Sequence, residues 1–461
     1  MENLSACEIA DQVRQGRLSA RQVMRHYLDR TERLEPALNT YVTLDAAGAM
    51  AASEAVDRQV ATGHDPGPLT GVPVSVKDLI AVKGLRQTFG SRLFAQNMVT
   101  DDAPSVARIR AAGGCIVGKT TTSELGSKAV GTSPLTGATR NPWNQGHTAG
   151  GSSAGAAAGV AAGLVPLALG TDGGGSIRIP ASFCGLVGIK GSYGRVPVWP
   201  ASATPGLAHV APLARNVRDA LLLFDVVAGP HEGDPSSLHF GPWQSAPREL
   251  AGLRIGWCTD FAYGWADPGL KAVIHDAALR LASALKTVLQ PWEGLPADPV
   301  QAWSTEFYAG IAQRLKLFES AVPETEAQLD PLLAAQIARA RSLGPRALDL
   351  AREGRARCAA QVEAAFSRFD LLLMPTMPVE APPVGRDAPA GHEAEGAVEW
   401  SYFTYPFNLA GNPAASYPAG LGPGGLPVGL QLVARIGDEA TLFAALLALE
   451  QALPVPAFPA L

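Results

Sequence analysis

The N-terminal part of the chain repeats apolar residues with the period of an amphipathic helix. Ser5 and Ser19 each precede such a run, and Glu or Gln follows three positions later, which is the pattern of a capping box. We therefore expect helices over Glu8–Gln15 and Ala20–Arg33. A third helix is predicted over Ala52–Thr62, before a Pro-Gly-Pro sequence breaks the pattern.

From about residue 70 to about residue 225, short apolar runs alternate with segments of helical character. Gly71–Val76 alternates in the manner of a strand and leads directly to Lys77. Ser105–Ala112 is predicted to be helical, and Cys115–Val117 is typical of a short buried strand. This alternation of strands and helices indicates an α/β fold.

The pattern becomes mainly helical between about residues 230 and 365, and strand-like runs return after it. These runs and a closing helix are Leu371–Met374, Ala414–Pro418, Val428–Val433 and Asp438–Leu453. Because the late strands can complete a sheet begun upstream, we expect one domain over residues 1–461. Its expected parts are N-terminal helices (1–65), a catalytic core (66–229), a mainly helical variable region (230–365) and a part that completes the sheet (366–461).

Composition and charge narrow the class of protein. The 461 residues are 47% hydrophobic, and a net charge of −5 does not suit a nucleic-acid surface, which needs clustered positive charge. The five cysteines form no CxxC pair, which disfavours a disulfide framework. The N-terminus lacks a signal-peptide pattern, and Ala156–Gly170 is too short to span a bilayer. We expect a cytoplasmic protein that binds neither nucleic acid nor membranes.

Two short motifs match patterns of other enzyme classes. Gly113–Thr120 fits a P-loop, but its interior is a strand-like apolar run, whereas a P-loop turns around phosphate after a strand. Gly151–Gly155 fits the GxSxG nucleophile elbow, but the preceding segment is polar and irregular, and no histidine has supporting context. There is no HExxH motif and no paired Cys/His spacing, so we expect neither a metal nor a cofactor.

The strongest chemical signal is a stretch rich in glycine and alanine, Gly150–Pro180, which contains Ser152 and Ser176. Its centre is apolar and must be buried, unlike a flexible linker. A hydroxyl nucleophile needs a base, and the best-placed candidate is Lys77 at the end of the predicted strand. Three glycines directly before Ser176 leave backbone N–H groups that can face a substrate oxygen. These features indicate acyl-transfer chemistry.

The same residues closely resemble the amidase signature family. The resemblance covers both serines, the Val-Lys-Asp element at Lys77, and the C-terminal sequences Phe369–Thr376, Phe407–Ser416 and Gly425–Gln431. It implies the amidase-signature fold, a large mixed twisted β-sheet flanked by helices on both faces. It also implies that residues 230–365 line the substrate pocket.

The resemblance further implies a Ser–cis-Ser–Lys triad. Ser176 is expected to be the nucleophile, Ser152 the bridging serine after a cis peptide bond, and Lys77 the general base. Burial would disfavour the charged form of Lys77 and lower its pKa, as a base requires.

Other residues of the same segment are expected to shape the site. The backbone N–H groups expected to form the oxyanion hole are those of Gly173, Gly174, Gly175 and Ser176. The residues expected to support the loop or contact substrate are Ser153, Asp172 and Arg178. Gly173 departs from the family pattern, which usually has a side chain there, and its freedom is expected to loosen the oxyanion hole or widen the pocket.

The favoured function is a free-standing, cofactor-free amidase that acts on linear amides of small molecules, with anilides, esters or carbamates as further substrates and a homodimer left open. One alternative is the glutaminase A subunit of a glutamyl-tRNA amidotransferase, although Ser401–Pro406 lacks the Asp usual in such relatives. A non-catalytic binding subunit is a second alternative. Trp400, Tyr402 and Tyr405 are expected either to line an apolar pocket or to pack in the core.

Overall fold

The computed structural model describes residues 4–241, 252–319, 325–393 and 396–457, together with residues 1, 250, 459 and 461. Its α-helices in this part of the chain are α1 (Ala6–Arg14), α2 (Ala20–Leu38), α3 (Ala46–Ala61), α4 (Pro104–Ala111), α5 (Ala154–Ala161), α6 (Arg178–Cys184), α7 (Val217–Val227), α8 (Pro268–Ala284), α9 (Val300–Glu319), α10 (Pro331–Ser342), α11 (Pro345–Arg368), α12 (Pro406–Leu409) and α13 (Glu439–Ala452).

The strands alternate with these helices along the chain. They are β1 (Tyr41–Leu44), β2 (Pro73–Lys77), β3 (Cys115–Thr120), β4 (Thr132–Ser133), β5 (Gly137–Ala138), β6 (Arg140–Asn141), β7 (Asn144–Thr148), β8 (Leu167–Asp172), β9 (Val187–Lys190), β10 (His209–Ala214), β11 (Ile255–Trp257), β12 (Leu289–Pro291), β13 (Leu371–Pro375), β14 (Ala414–Leu421) and β15 (Pro427–Ala434).

In the described part of the chain, one mixed sheet of 11 strands organises the fold, in the order β1-β3-β2-β8-β10-β9-β14-β15-β13-β11-β12, and helices flank it. This confirms the predicted large mixed sheet. Strand β2 runs parallel to β3 and to β8, with Val76 opposite Leu169. Parallel neighbours end at the same edge of a sheet, so Lys77 and the end of β8 lie side by side. The pairs β4–β5 and β6–β7 form two small separate sheets.

The predicted N-terminal elements are present with shifted ends. Helices α1 and α2 begin after Ser5 and Ser19, and both capping boxes are formed. The P-loop-like sequence lies largely in strand β3, where Lys119 is fully buried and its Nζ lies 3.0 Å from Asp78 Oδ1. A lysine paired with a buried carboxylate inside a strand cannot hold phosphate, which agrees with rejecting the P-loop.

The region between residues 230 and 365 is less purely helical than expected. Strands β11 and β12 both lie in it, pair in parallel with each other, and extend the main sheet beyond β13. Each has only three residues, so its own sequence carries little periodicity, and a distant strand supplies its hydrogen-bond partners. The main sheet therefore continues through the region that the sequence predicts to be mainly helical. Trp243, which belongs to this region, lies outside the described residues.

The apolar core forms large clusters. The largest cluster contains Val74 and Val76 of strand β2 and Leu169 of strand β8, together with apolar residues of the flanking helices. A second cluster joins helices α9–α11 to the segment around Tyr405 and Phe407. Among the described helices, none has both the length and the apolar character needed to cross a membrane.

Candidate active site

Lys77 lies at the end of β2, where the buried side chains of Val74 and Val76 hold the strand in the core. Its Nζ lies 2.7 Å from Ser152 Oγ and 2.8 Å from Thr171 Oγ1. Thr171 belongs to β8, the parallel neighbour of β2. Sequence reasoning missed Thr171, because only the pairing of the two strands places it beside the lysine.

Burial controls the charge of this lysine. Lys77 is fully buried, and the loss of solvation holds its pKa well below the ordinary value of 10.5, while the charge of Asp172 opposes this shift. Desolvation of an amine favours its neutral form, which is the form able to accept a proton. A buried amine with a lowered pKa therefore lies at the position where the sequence predicts the general base.

Ser152 follows a cis peptide bond, Gly151–Ser152, as the family resemblance implies. Its side chain is almost fully buried. The chain runs close to its neighbours here, since a Cβ on Gly151 would lie 2.5 Å from the carbonyl oxygen of Val130. Ser153 binds the neighbouring segment, because its N–H donates to Ser176 O at 3.1 Å and its hydroxyl donates to Thr171 O at 3.1 Å. This links the two serine-bearing segments.

The loop before Ser176 folds around the carboxylate of Asp172. The N–H groups of Gly175 and Ile177 donate to Asp172 at 2.7 and 3.2 Å. The N–H group of Gly175 is thus hydrogen-bonded to Asp172, and the expectation that it faces a substrate oxygen is wrong. Among the described residues, no acceptor bonds the N–H groups of Gly173, Gly174 and Ser176. These three donors remain available for an oxyanion.

Arg178 stabilises the loop before Ser176 through hydrogen bonds. It is fully buried and donates to both carboxylate oxygens of Asp172 at 3.0 and 2.9 Å. Its other acceptors are Thr404 O, Gln431 Oε1 and Asn408 Oδ1. Burial alone would raise the pKa of Asp172, but the charge and hydrogen bonds of Arg178 hold it well below its usual range. These hydrogen bonds to protein acceptors favour support of the loop over contact with substrate as the role of Arg178.

Both serines line one cavity of about 210 Å³. The aromatic side chains of its wall are Phe89, Phe94, Trp199 and Phe307. Helix α9 contributes several of the lining residues: Phe307, Ile311, Arg314 and Leu315. In the part of the chain that the structure describes, no Asp or Glu lines this cavity. The wall is therefore mainly apolar, with Arg314 as a cation.

The aromatic residues predicted from the sequence as alternatives for this wall pack elsewhere. Trp400 stacks on Phe183 in an apolar cluster, with ring centroids 6.3 Å apart. Tyr405 stacks on Trp303, and Tyr402 contacts Phe403. In the described wall of the cavity none of the three predicted residues occurs, so the structure supports their assignment to the core.

The two serine hydroxyls share the cavity without a direct bond. In the described structure, no hydrogen bond joins Ser152 Oγ to Ser176 Oγ, whereas Lys77 and Ser152 are in contact. Among the described residues, no group of three or more His, Cys, Asp or Glu side chains has the arrangement of a metal site. The arrangement offers a buried amine, a bridging hydroxyl, an accessible second hydroxyl and three unused N–H donors.

Comparison with known proteins gives a consistent result. The family model described as Amidase matches residues 22–443. The chain is 35% identical over 442 residues to an acylamidase of Rhodococcus erythropolis, covering 94% of this chain and 92% of that protein. It is also 35% identical to the A subunit of the glutamyl-tRNA(Gln) amidotransferase of Thermus thermophilus, covering 97% of each chain. A solved bacterial aryl acylamidase of the amidase signature family has a TM-score of 0.92 and 30% identity, covering 98% of this chain and 96% of that one.

Proposed function

This chain belongs to the Amidase family, and we propose that it hydrolyses carboxylic amides through an acyl-enzyme on Ser176. The observation that carries the proposal is the buried Lys77 amine, 2.7 Å from Ser152 Oγ, in a cavity that Ser176 also lines. Its lowered pKa supports the role of general base. The contact of Ser152 with Lys77, and its place in the same cavity wall as Ser176, support the role of Ser152 as the bridge.

Formation of the acyl-enzyme needs two proton transfers. Neutral Lys77 takes the hydroxyl proton of Ser152 while Ser152 takes that of Ser176, and Ser176 Oγ bonds to the carbonyl carbon. For this step the Ser176 side chain closes onto Ser152, a contact that substrate binding completes. The negative charge that develops on the carbonyl oxygen faces the unused N–H groups of Gly173, Gly174 and Ser176.

Departure of the amine uses the same path in reverse. The proton held by Lys77 returns through Ser152 to the amide nitrogen, the C–N bond breaks, and the amine leaves. A water then gives a proton to the relay and attacks the ester carbon, which releases the carboxylic acid and restores Ser176. The hydrogen bond to Thr171 holds Lys77 in place throughout.

The cavity favours uncharged amides over glutamine. Glutamine carries an ammonium group that the A subunit of an amidotransferase must bind, yet no acidic side chain occurs in the described wall. An unpaired cation in an apolar cavity loses its solvation without compensation. We therefore propose a free-standing amidohydrolase for apolar linear amides, including anilides, with esters and carbamates open to the same acyl transfer. Only the sequence similarity to the amidotransferase favours the alternative.

Covalent labelling tests the mechanism and the alternatives together. A sulfonyl fluoride should label wild-type protein at Ser176, and Ser176→Ala should remain folded, resist labelling and lose amide turnover by about 10³-fold or more. Labelling is located by peptide mass spectrometry, and turnover is measured on anilides, aliphatic amides and glutamine. Absence of labelling would favour a non-catalytic binding role, and strong glutaminase activity with poor anilide turnover would favour the amidotransferase role.

A further inference from the structure

Helix α9 contacts the loop before Ser176 through the side chain of Trp303. The indole Nε1 of this residue donates to Gly173 O at 2.8 Å. A Cβ on Gly174 would lie 2.6 Å from the same ring, so the indole packs directly against the loop backbone. In the part of the chain that the structure describes, no other group donates to Gly173 O. The direction of this carbonyl therefore depends on Trp303.

The indole is itself held between aromatic neighbours. Its ring stacks on Phe307, with centroids 4.7 Å apart and an interplanar angle of 21°, and on Tyr405, with centroids 5.8 Å apart and an angle of 29°. The Tyr405 hydroxyl donates to Asp298 Oδ1 at 2.7 Å, and Trp303 is only 2% exposed. A ring fixed by such contacts cannot easily turn its N–H away from Gly173 O. The donor is therefore in place before substrate binds.

The hydrogen bond to Gly173 O also determines where the next N–H group points. The peptide bond between Gly173 and Gly174 is trans, and in a planar trans peptide the C=O and N–H point in opposite directions. Gly173 and Ser176 line the cavity, whereas Trp303 is absent from its described wall, so the indole contacts the loop from behind that wall. The N–H of Gly174 consequently lies on the opposite face of the peptide, toward the cavity.

The following peptide shows the same coupling between a bound carbonyl and a directed N–H. Thr404 Oγ1 lies 2.6 Å from Gly174 O, and the N–H of Gly175 donates to Asp172 Oδ1 at 2.7 Å. The peptide before it has glycine on both sides, and without a Cβ little opposes a flip of that peptide. A flip would turn Gly173 O toward the oxyanion and repel it. The indole donor therefore supplies the restraint that side chains would otherwise provide.

We infer that Trp303 is a positioning residue for the oxyanion hole, because its indole N–H keeps the Gly173–Gly174 peptide in the orientation that presents the Gly174 N–H to the substrate's carbonyl oxygen. This role rests on the hydrolysis proposed for Ser176 and deepens it, since helix α9 then controls the shape of the loop. Trp303 touches no reacting atom. Its loss should weaken a tetrahedral adduct more than the ground-state amide, because the adduct carries the negative oxygen.

A reversible ketone separates these two effects. Ser176 Oγ adds to the carbonyl carbon of 1,1,1-trifluoro-4-phenylbutan-2-one, the hydroxyl proton passes to the Lys77 relay, and the carbonyl oxygen becomes an oxyanion, with no leaving group released. A ¹⁹F NMR titration detects this adduct and gives its dissociation constant. The matched amide, 3-phenylpropanamide, is titrated by calorimetry into Ser176→Ala protein, which gives ground-state affinity without turnover.

Trp303→Phe removes the indole N–H and keeps an aromatic ring. We expect it to weaken the ketone by about tenfold or more, because removing one oxyanion-hole donor costs about 10²–10³ in kcat, and to weaken the amide by less than about threefold. Replacement of Trp303 by 3-benzothienylalanine puts sulfur in place of the N–H and preserves the ring stacking. This second protein should show the same loss, and it keeps the test decisive if Trp303→Phe folds poorly.

Trp143→Phe is the matched control. The indole of Trp143 donates to Cys184 O at 2.9 Å and lies outside the described wall of the cavity, so its loss should leave both affinities unchanged. A ketone loss no larger than the amide loss would show that Trp303 only shapes the cavity, and would overturn the inference. Unchanged ketone affinity in the 3-benzothienylalanine protein would do the same. Absence of the ¹⁹F adduct signal in wild-type protein would overturn the chemistry proposed for Ser176, and the role of Trp303 with it.

Discussion

At the scale of single residues, the pKa of the Lys77 amine depends on which groups bind the nearby carboxylate of Asp172. Asp172 opposes the lowering of the Lys77 pKa, but Arg178 and backbone N–H groups already bind both of its oxygens. The carboxylate is thereby neutralised by a partner that lies closer. Burial of Lys77 then dominates and lowers its pKa, which favours the neutral form of a side chain that is usually a cation.

The first prediction is that kcat/KM depends on pH, because the proposed reaction needs the neutral form of Lys77. Only unprotonated Lys77 accepts a proton, so kcat/KM should rise with pH through the lowered pKa of Lys77 and level off well below 10.5. Initial rates on one uncharged anilide across pH, in buffers of constant ionic strength, measure it. Lys77→Ala, assayed alongside, should lose this inflection together with most of the rate. An inflection near 10.5, or one that persists in Lys77→Ala, would contradict the assignment.

The sequence allowed the side chains of the candidate site to be predicted, but not the hydrogen bonds that position them. Lys77, Ser152 and Ser176 stand out because a strand end and a glycine-rich segment have recognisable patterns. Thr171 carries no such pattern, since its contact with Lys77 arises from parallel pairing of β2 and β8. The commitment of the Gly175 N–H depends on the direction in which the Asp172 carboxylate turns, which local sequence does not determine.

At the scale of elements, the connection from β8 to α6 is shaped by the carboxylate that ends the strand. Asp172 accepts hydrogen bonds from the turn and from Arg178 at the start of α6. Arg178 then reaches Asn408 and Gln431, which belong to α12 and β15. The glycine loop therefore has its shape fixed by one buried ion pair, which connects it to the C-terminal part of the sheet.

The second prediction concerns that buried pair. Asp172→Asn should leave the Arg178 charge without its counter-ion, and breaking such a pair costs about 3–5 kcal/mol of unfolding free energy. Amide turnover should fall as well, because the loop loses acceptors for its N–H groups. Urea denaturation measures the stability. Asp349→Asn breaks an exposed pair with Arg352 and should change stability by less than about 0.5 kcal/mol. Equal small losses in both variants would disprove the structural role of Asp172.

Elements differ in how far their own sequence specifies them. Helices α1 and α2 were predictable because each carries its capping box within a few residues of its start. Strands β11 and β12 were not, because three residues cannot display a period and their partners are each other and β13. The helical pattern of the surrounding region therefore dominated the prediction, although the sheet passes through it.

At the scale of the whole molecule, a cluster of charges connects helices α9 and α10, the first of which supplies Phe307 to the cavity wall, to the loop after β3. Lys128 Nζ lies 2.7 Å from Asp330 and 2.9 Å from Asp387. Asp330 caps helix α10, and its N–H donates to Glu124 at 2.6 Å. The Tyr308 hydroxyl, on helix α9, donates to Ser127 O at 3.1 Å. The walls of the cavity thus come from distant segments that these contacts hold together.

The last prediction tests this connection. Lys128→Met should leave Asp330 and Asp387 without their shared cation, which lowers the free energy of opening for α9 and α10 by about 3–5 kcal/mol. Hydrogen exchange followed by mass spectrometry should then show faster exchange in those helices, while β2 and β8 remain protected because they lie in the central sheet. Lys271→Met, which breaks a partly exposed pair with Asp260, is the matched control and should change little. Uniformly faster exchange across helices and strands would mean that the cluster supports the fold as a whole and does not specifically fasten the cavity wall.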